Sequence, residues 1–129
     1  MAKVLIVEDD PAAMRLAAAT LELEGHEVVG ATNGLEGVSK ARAEAPDVIV
    51  LDVMIPGMDG YEVCQALRSE EGSALSRVPI LMVSAKAQSD DAEMGRKVGA
   101  DAYVKKPVTP EALARAVAEA LGERQGQAV

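Results

Sequence analysis

The chain of 129 residues has no tryptophan, no phenylalanine and only two tyrosines, Tyr61 and Tyr103. A stacking platform for nucleic-acid bases is therefore not expected. Basic residues are also few: 13 Lys and Arg stand against 21 Asp and Glu, a net charge of −8. Phosphate backbones are held by clustered cations, so direct nucleic-acid binding is not expected either. One cysteine, Cys64, leaves no internal disulfide framework and fits a reducing, cytoplasmic setting. No apolar run approaches the ~20 residues of a membrane-spanning helix, and no signal-peptide pattern precedes the first strand-like segment. There is no GxGxxG turn after that segment and no Walker-type lysine loop, which leaves nucleotide binding without support. What remains is an acid-rich chain, 49% apolar, of a length for one domain that buries roughly two-thirds of its unfolded surface.

Short β-branched runs alternate with longer helical periods. Lys3 to Val7 reads as a strand ending in Glu8, Asp9 and Asp10. Pro11 opens a helix, where its missing N–H costs nothing, and Met14, Ala17, Ala18 and Leu21 form its apolar stripe. Glu27 to Ala31 is a second strand. Asn33-Gly34 then starts a helix with Leu35, Val38 and Ala41 on one side. Asp47 to Asp52 holds the continuous apolar run of a strand covered on both faces. A helix with Val63, Ala66 and Leu67 follows, and Ser69 to Arg77 reads as a surface loop. Ile80 to Val83 is the fourth strand, Asp90 to Val98 a polar fourth helix, and Ala102 to Val104 a brief fifth strand. Thr109-Pro110 caps the last helix, which carries Leu113, Ala116, Val117, Ala120 and Leu121. Residues 1–122 make one domain and 123–129 a polar tail. Five βα units with no linker predict an α/β fold, a doubly wound parallel sheet with helices on both faces.

In such sheets, sites form beyond the carboxyl ends of the strands. Glu8 and Asp9 end the first strand, Asp52 the third and Ser84 the fourth, and Lys106 follows the fifth. Three carboxylates in one small volume repel, so one stays protonated unless a cation enters. An oxygen-rich acidic site suits Mg2+, and a neighbouring lysine suits an anionic oxygen such as that of a phosphoryl group. The inferred chemistry is metal-assisted phosphoryl handling with one carboxylate as nucleophile.

Four segments carry a specific resemblance: Val4-Leu5-Ile6-Val7-Glu8-Asp9-Asp10, the stretch from Asp52 through Pro56-Gly57-Met58-Asp59-Gly60, Val83-Ser84-Ala85, and Tyr103-Val104-Lys105-Lys106-Pro107. In order and spacing they resemble the receiver domain of two-component response regulators, of the CheY-like single-domain type. The resemblance implies a five-stranded flavodoxin-like (βα)5 fold with strand order 2-1-3-4-5. It implies that Asp52 accepts a phosphoryl group from a sensor histidine kinase or a histidine phosphotransfer protein. Glu8, Asp9, Asp52 and the backbone carbonyl of Met54 would serve Mg2+, Glu8 mainly through metal-bound water. Lys106, with a cis bond to Pro107, would contact the phosphoryl group; Lys105 would not. Ser84 would hydrogen-bond that group, and Tyr103 would be the coupled switch aromatic. Output would pass through the surface of the fourth helix, fifth strand and fifth helix to a downstream protein, without nucleic-acid or membrane contact. The chain is then no enzyme beyond its own phosphorylation and dephosphorylation. Two departures are mild: Glu8 stands where Asp is common, and Ser84 where Thr is frequent.

Other readings are available for single residues. Tyr103 read alone is equally a half-buried filler, His26 an ordinary surface residue and Cys64 a packed thiol. Asp90 and Asp91 can serve a helix dipole, and Arg96, Lys97 and Lys105 a solvated face. Met54 and Lys86 should flank the pocket mouth, where neither activates water, so a persistent phosphoryl group is expected. A haloacid-dehalogenase-type phosphatase needs a general acid two residues beyond the nucleophile, where this chain has Met54. A flavodoxin-like cofactor module is disfavoured by the few aromatics, and a pseudo-receiver by the complete acid–lysine set. A stand-alone regulator is expected, the alternative being the receiver part of a longer, for example DNA-binding, regulator.

Overall fold

The computed structural model describes residues 2–70, 72–85 and 97–127. Five parallel strands, β1 (Lys3–Val7), β2 (Glu27–Ala31), β3 (Val48–Asp52), β4 (Ile80–Ser84) and β5 (Ala102–Lys105), form one sheet in the order β2-β1-β3-β4-β5. Every residue of β3 and β4 is buried, as their unbroken apolar runs predict. The outer strands β2 and β5 are mostly half-buried or exposed.

Helices cover both faces. Ile6, Val50, Leu81 and Val83 meet Leu21 of α1 (Pro11–Leu23) and Leu113, Val117 and Ala120 of the C-terminal helix (Pro110–Gln127). Leu5, Ile49, Leu51 and Met82 meet Val38 and Ala41 of α2 (Gly34–Glu44) and Val63, Cys64 and Leu67 of α3 (Gly60–Arg68). The helix starts are capped by side chains that take orphan amides: Asp10 accepts from Ala13, Asn33 from Glu36 and Thr109 from Ala112. At α3 the Asp59–Glu62 spacing closes a reciprocal capping box.

Three details differ from the sequence expectation. Leu35 is 68% exposed rather than part of the α2 stripe. The buried stripe is Gly34, Gly37, Val38 and Ala41, because the missing side chains let the helix settle on its glycine face. A Cβ at Gly34 would lie 2.4 Å from the Met58 carbonyl oxygen, and one at Gly37 3.0 Å from Val7. That settling turns Leu35 outward. Second, the stretch after α3 is not only a surface loop: a 3-10 turn, Ala74–Ser76, buries Leu75 against the core. Third, the last helix continues past Gly122 to Gln127. The fourth helix expected over Asp90 to Val98, with Asp90, Asp91 and Arg96, lies almost wholly outside the described residues, as does Lys86.

Candidate functional site

The strand termini place the site. Side chains alternate along a strand, so Glu8 follows Ile6 and Asp52 follows Val50 onto the face shared with α1 and the C-terminal helix. β1 and β3 are neighbours, with Val7 opposite Leu51, which brings the two carboxyls side by side. Glu8 is 6% exposed and Asp52 5%. Exposed Asp9 completes the group, and ligand oxygens of Glu8, Asp9 and Asp52 lie within 4.8 Å of one another. Lys106 arrives from the far side of the sheet. Its Nζ donates to Asp52 Oδ2 at 2.8 Å and to Glu8 Oε1 at 3.0 Å, while its amide donates to the Ser84 carbonyl at 2.7 Å. The Lys106–Pro107 peptide is cis, and Lys105 is exposed.

The remaining carboxylate oxygens are also held. The Asp10 amide donates to Glu8 Oε2 and the Met54 amide to Asp52 Oδ1, both at 3.0 Å. Gly60 supports Asp52 from behind. Its amide donates to the Val53 carbonyl at 2.9 Å, and a Cβ there would fall 2.8 Å from the Asp52 carbonyl oxygen. Ser84 is fully buried. Tyr103 pairs in register with Met82 and packs half-buried on the same cluster. Met54 is 57% exposed beside Asp52. A cavity of about 450 Å³ opens from Glu8, Asp52 and Lys106 between Leu16 of α1 and Leu113 of the C-terminal helix.

Burial pushes the Glu8 carboxyl above its ordinary range, and the charge of Asp52 adds to this against hydrogen bonds from the Asp10 amide and Lys106. Burial opposes the charge on Lys106, but hydrogen bonds to Asp52 and Glu8 outweigh it and raise its pKa. The stability consequences have opposite placement in pH. A raised lysine favours folding at every pH below the unfolded lysine value, and loses that contribution only as pH rises through the folded one. A raised carboxyl favours folding only below its unfolded value, so at neutral pH ionised Glu8 weighs against the metal-free fold. Glu8→Gln is therefore expected to raise the melting temperature in EDTA by roughly 2–5 °C at pH 7, since glutamine keeps an acceptor for the Asp10 amide. Thermal melts should show the gain shrinking below about pH 4, where the wild-type carboxyl carries a proton in both states.

The donor set fits a small hard cation. Oxygen ligands converge on one point, and exposed Asp9 leaves room for the waters that Mg2+ retains. The other residues singled out in the sequence lie elsewhere. His26 precedes β2, at the opposite end of the sheet; it is half-buried, with Nδ1 enclosed and without a hydrogen-bond partner. Cys64 is fully buried and its Sγ donates to the Val98 carbonyl at 3.3 Å. Burial pushes its thiol up to about 11, although Arg68 pulls the other way. Sequence reasoning missed the backing role of Gly60 and the capping box that starts α3. The second had a local signal in Asp59-x-x-Glu62; the first had none, because the close approach is to backbone of a neighbouring element.

Residues 4–118 match the response regulator receiver domain family. Protein PilH of Pseudomonas aeruginosa is 38% identical over 117 residues, which cover 91% of this chain and 95% of that protein. The alkaline phosphatase synthesis transcriptional regulatory protein PhoP of Bacillus subtilis is 43% identical over 108 residues, 84% of this chain, yet this chain spans only 43% of PhoP. Among solved structures, the chemotaxis response regulator CheY4 of Vibrio cholerae superposes with a TM-score of 0.88 at 36% identity, covering 94% of this chain and 99% of that one. A parallel sheet in the order 2-1-3-4-5, an acidic group able to hold a metal at its carboxyl edge and a matched sequence agree: the chain belongs to the receiver domains of two-component response regulators, a family of phosphoacceptor switches.

Proposed function

We propose that Asp52 is the phosphoacceptor of this receiver, taking a phosphoryl group from a phosphohistidine on a sensor histidine kinase or a histidine phosphotransfer protein. The observation that carries this reading is Lys106 Nζ seated between Asp52 and Glu8, at 2.8 and 3.0 Å, with Asp9 completing the acidic group. A nucleophilic carboxylate, a cation for the transferred oxygens and a cluster able to hold a metal are the parts in-line phosphoryl transfer requires. Asp52 attacks phosphorus, the phosphorus–nitrogen bond breaks and the imidazole leaves. Lys106 turns from its carboxylate partners toward the incoming oxygens. Glu8, Asp9, Asp52 and the Met54 carbonyl would hold Mg2+, which supplies charge neutralisation on the phosphoryl oxygens.

Phosphorylation places new acceptor oxygens where Lys106 and Ser84 can bond them. Ser84 moves toward the group, and Tyr103, on the same face of the sheet, turns into the space released. Such a switch shifts a population between two states through contacts made in only one of them. The surface of β5 and the C-terminal helix then presents itself differently to a downstream protein. With exposed Met54 as the side chain at the mouth, nothing at that position activates water, and the phosphoryl group persists. Residues 1–122 serve as the receiver unit and 123–129 as its tail, acting in the cytoplasm; no described helix is long and apolar enough to cross a membrane.

A second reading concerns what the receiver serves. The chain spans 95% of PilH but only 43% of PhoP. The first proportion favours a regulator acting by protein contact, the second the receiver part of a longer transcriptional regulator. The phosphoacceptor reading is tested by incubating the protein with acetyl phosphate and Mg2+ and weighing it intact. One phosphoryl group per chain is expected, and none when EDTA removes the metal. Labelling indifferent to EDTA would contradict the role given to the acidic group.

A further inference from the structure

We propose that Arg68 is a positioning residue for the phosphoryl site, pinning the register of β5 and thereby aiming Lys106 and Tyr103. The proposal rests on the reading of Lys106 as the partner of Asp52.

β5 needs such a pin. It has four residues, among the described residues pairs only with β4, and is exposed at Ala102 and Lys105. Register is specified by which residues must be buried, and a strand with two half-buried side chains specifies it weakly. A slip of one residue would move Tyr103 to the opposite face and shift Lys106 along the strand by about 3.3 Å. That shift is enough to break its contacts with Asp52 and Glu8.

The Arg68 side chain, 18% exposed, reaches the start of both strands. Nη1 donates to the carbonyls of Val78 at 2.7 Å and Leu75 at 3.3 Å, just before β4. Nε donates to the Gly99 carbonyl at 2.9 Å, and Nη2 to Asp101 Oδ2 at 2.9 Å, just before β5. Asp101 closes the link: Oδ2 also accepts the Ile80 amide at 2.8 Å, and its own amide donates to the Ile80 carbonyl at 2.9 Å. One guanidinium thus sets Ile80 opposite Asp101, and the pairs Leu81–Ala102, Met82–Tyr103 and Ser84–Lys105 follow from it. The arginine stem lies on Gly99, at φ +100, where a Cβ would approach Cγ to 3.0 Å. Cys64 holds the preceding carbonyl, that of Val98. The task calls for a planar fork with several fixed donors, which a lysine ammonium does not provide.

Two full-chain variants test the pin, Arg68→Gln and the milder Arg68→Lys. Hydrogen exchange followed by mass spectrometry should show the amides of Tyr103 to Lys106 exchanging about tenfold faster in both, while β1 and β3 keep their protection. Labelling by acetyl phosphate should slow about tenfold, because Lys106 is no longer held in place. Mg2+ affinity, followed by amide shifts of Asp9 and Asp52, should not fall, since the acidic residues sit on other strands and lose only the ammonium that competes for their oxygens. Unchanged exchange at Tyr103 to Lys106, full rescue by Arg68→Lys, or an equal loss of protection in every strand would overturn the proposal. Should the wild-type protein take no phosphoryl group at all, the reading of Asp52 fails, and the exchange data still decide the pin.

Discussion

Gly60→Ala is expected to destabilise the protein by about 3 kcal/mol and to disturb the seat of Asp52. The added Cβ would lie 2.7 Å from Val53 Cα and 2.8 Å from the Asp52 carbonyl oxygen. Both neighbours are backbone, so no side chain can swing aside. Either the end of β3 or the first turn of α3 must move, and overpacking of that kind costs about 1–3 kcal/mol or more. Alanine gains about 1 kcal/mol in a helix interior, but Gly60 is the first residue of α3, where that gain is smaller. The amide of Gly60 is also bonded to the Val53 carbonyl, which ties the two displacements together. Gly57→Ala is the control. It stands at φ +80 with nothing within 4 Å, so only the strain of a left-handed backbone is felt, about 1 kcal/mol. Urea unfolding of the two variants should differ by roughly 2 kcal/mol at equal m-value. Equal losses would show that the approach to Val53 and Asp52 is not tight.

Lys106→Met is expected to push two properties of the site in opposite directions. The ammonium bonds Glu8 and Asp52, the same buried carboxylates that stand ready for a metal. Removing it takes away a positive charge that competes with any cation for those oxygens. Mg2+ should therefore bind the variant more tightly, on the order of tenfold given the strength of charge interactions at a partly solvated site. Labelling by acetyl phosphate should nevertheless fall by about 100-fold, because the charge that met the transferred oxygens is gone. Calorimetric titration with Mg2+ and time-resolved intact mass give the two numbers. A parallel fall of both would mean that Lys106 only holds the site together.

The architecture was legible because local patterns carried it. Continuous apolar runs at Val48 to Leu51 and Ile80 to Val83 specify strands covered on both faces, and Asn33 and Thr109 mark helix starts with their own side chains. The site was legible for a related reason: strand ends in a parallel sheet converge, so polar residues terminating β1, β3 and β4 must meet. What escaped depended on neighbours distant in sequence. Leu35 faces out because Gly34 and Gly37 press against Met58 and Val7, contacts no helical period reveals. Leu75 is buried because α3 and the sheet leave a space that a polar-looking stretch fills with its one large apolar side chain. Arg68 ends α3, and nothing local in the sequence marks what it binds. Its acceptors, Leu75, Val78, Gly99 and Asp101, lie 7 to 33 residues away. Glu8 and Asp52 lie together, and the cation that bridges them in the metal-free protein is Lys106 itself.

The central claim is that phosphate is accepted at Asp52, and intact mass of Asp52→Asn beside the wild-type protein tests it most directly. After incubation with acetyl phosphate and Mg2+, the wild-type chain should carry one phosphoryl group and Asp52→Asn none, with both proteins folded by circular dichroism. Stoichiometric labelling of Asp52→Asn would contradict the account.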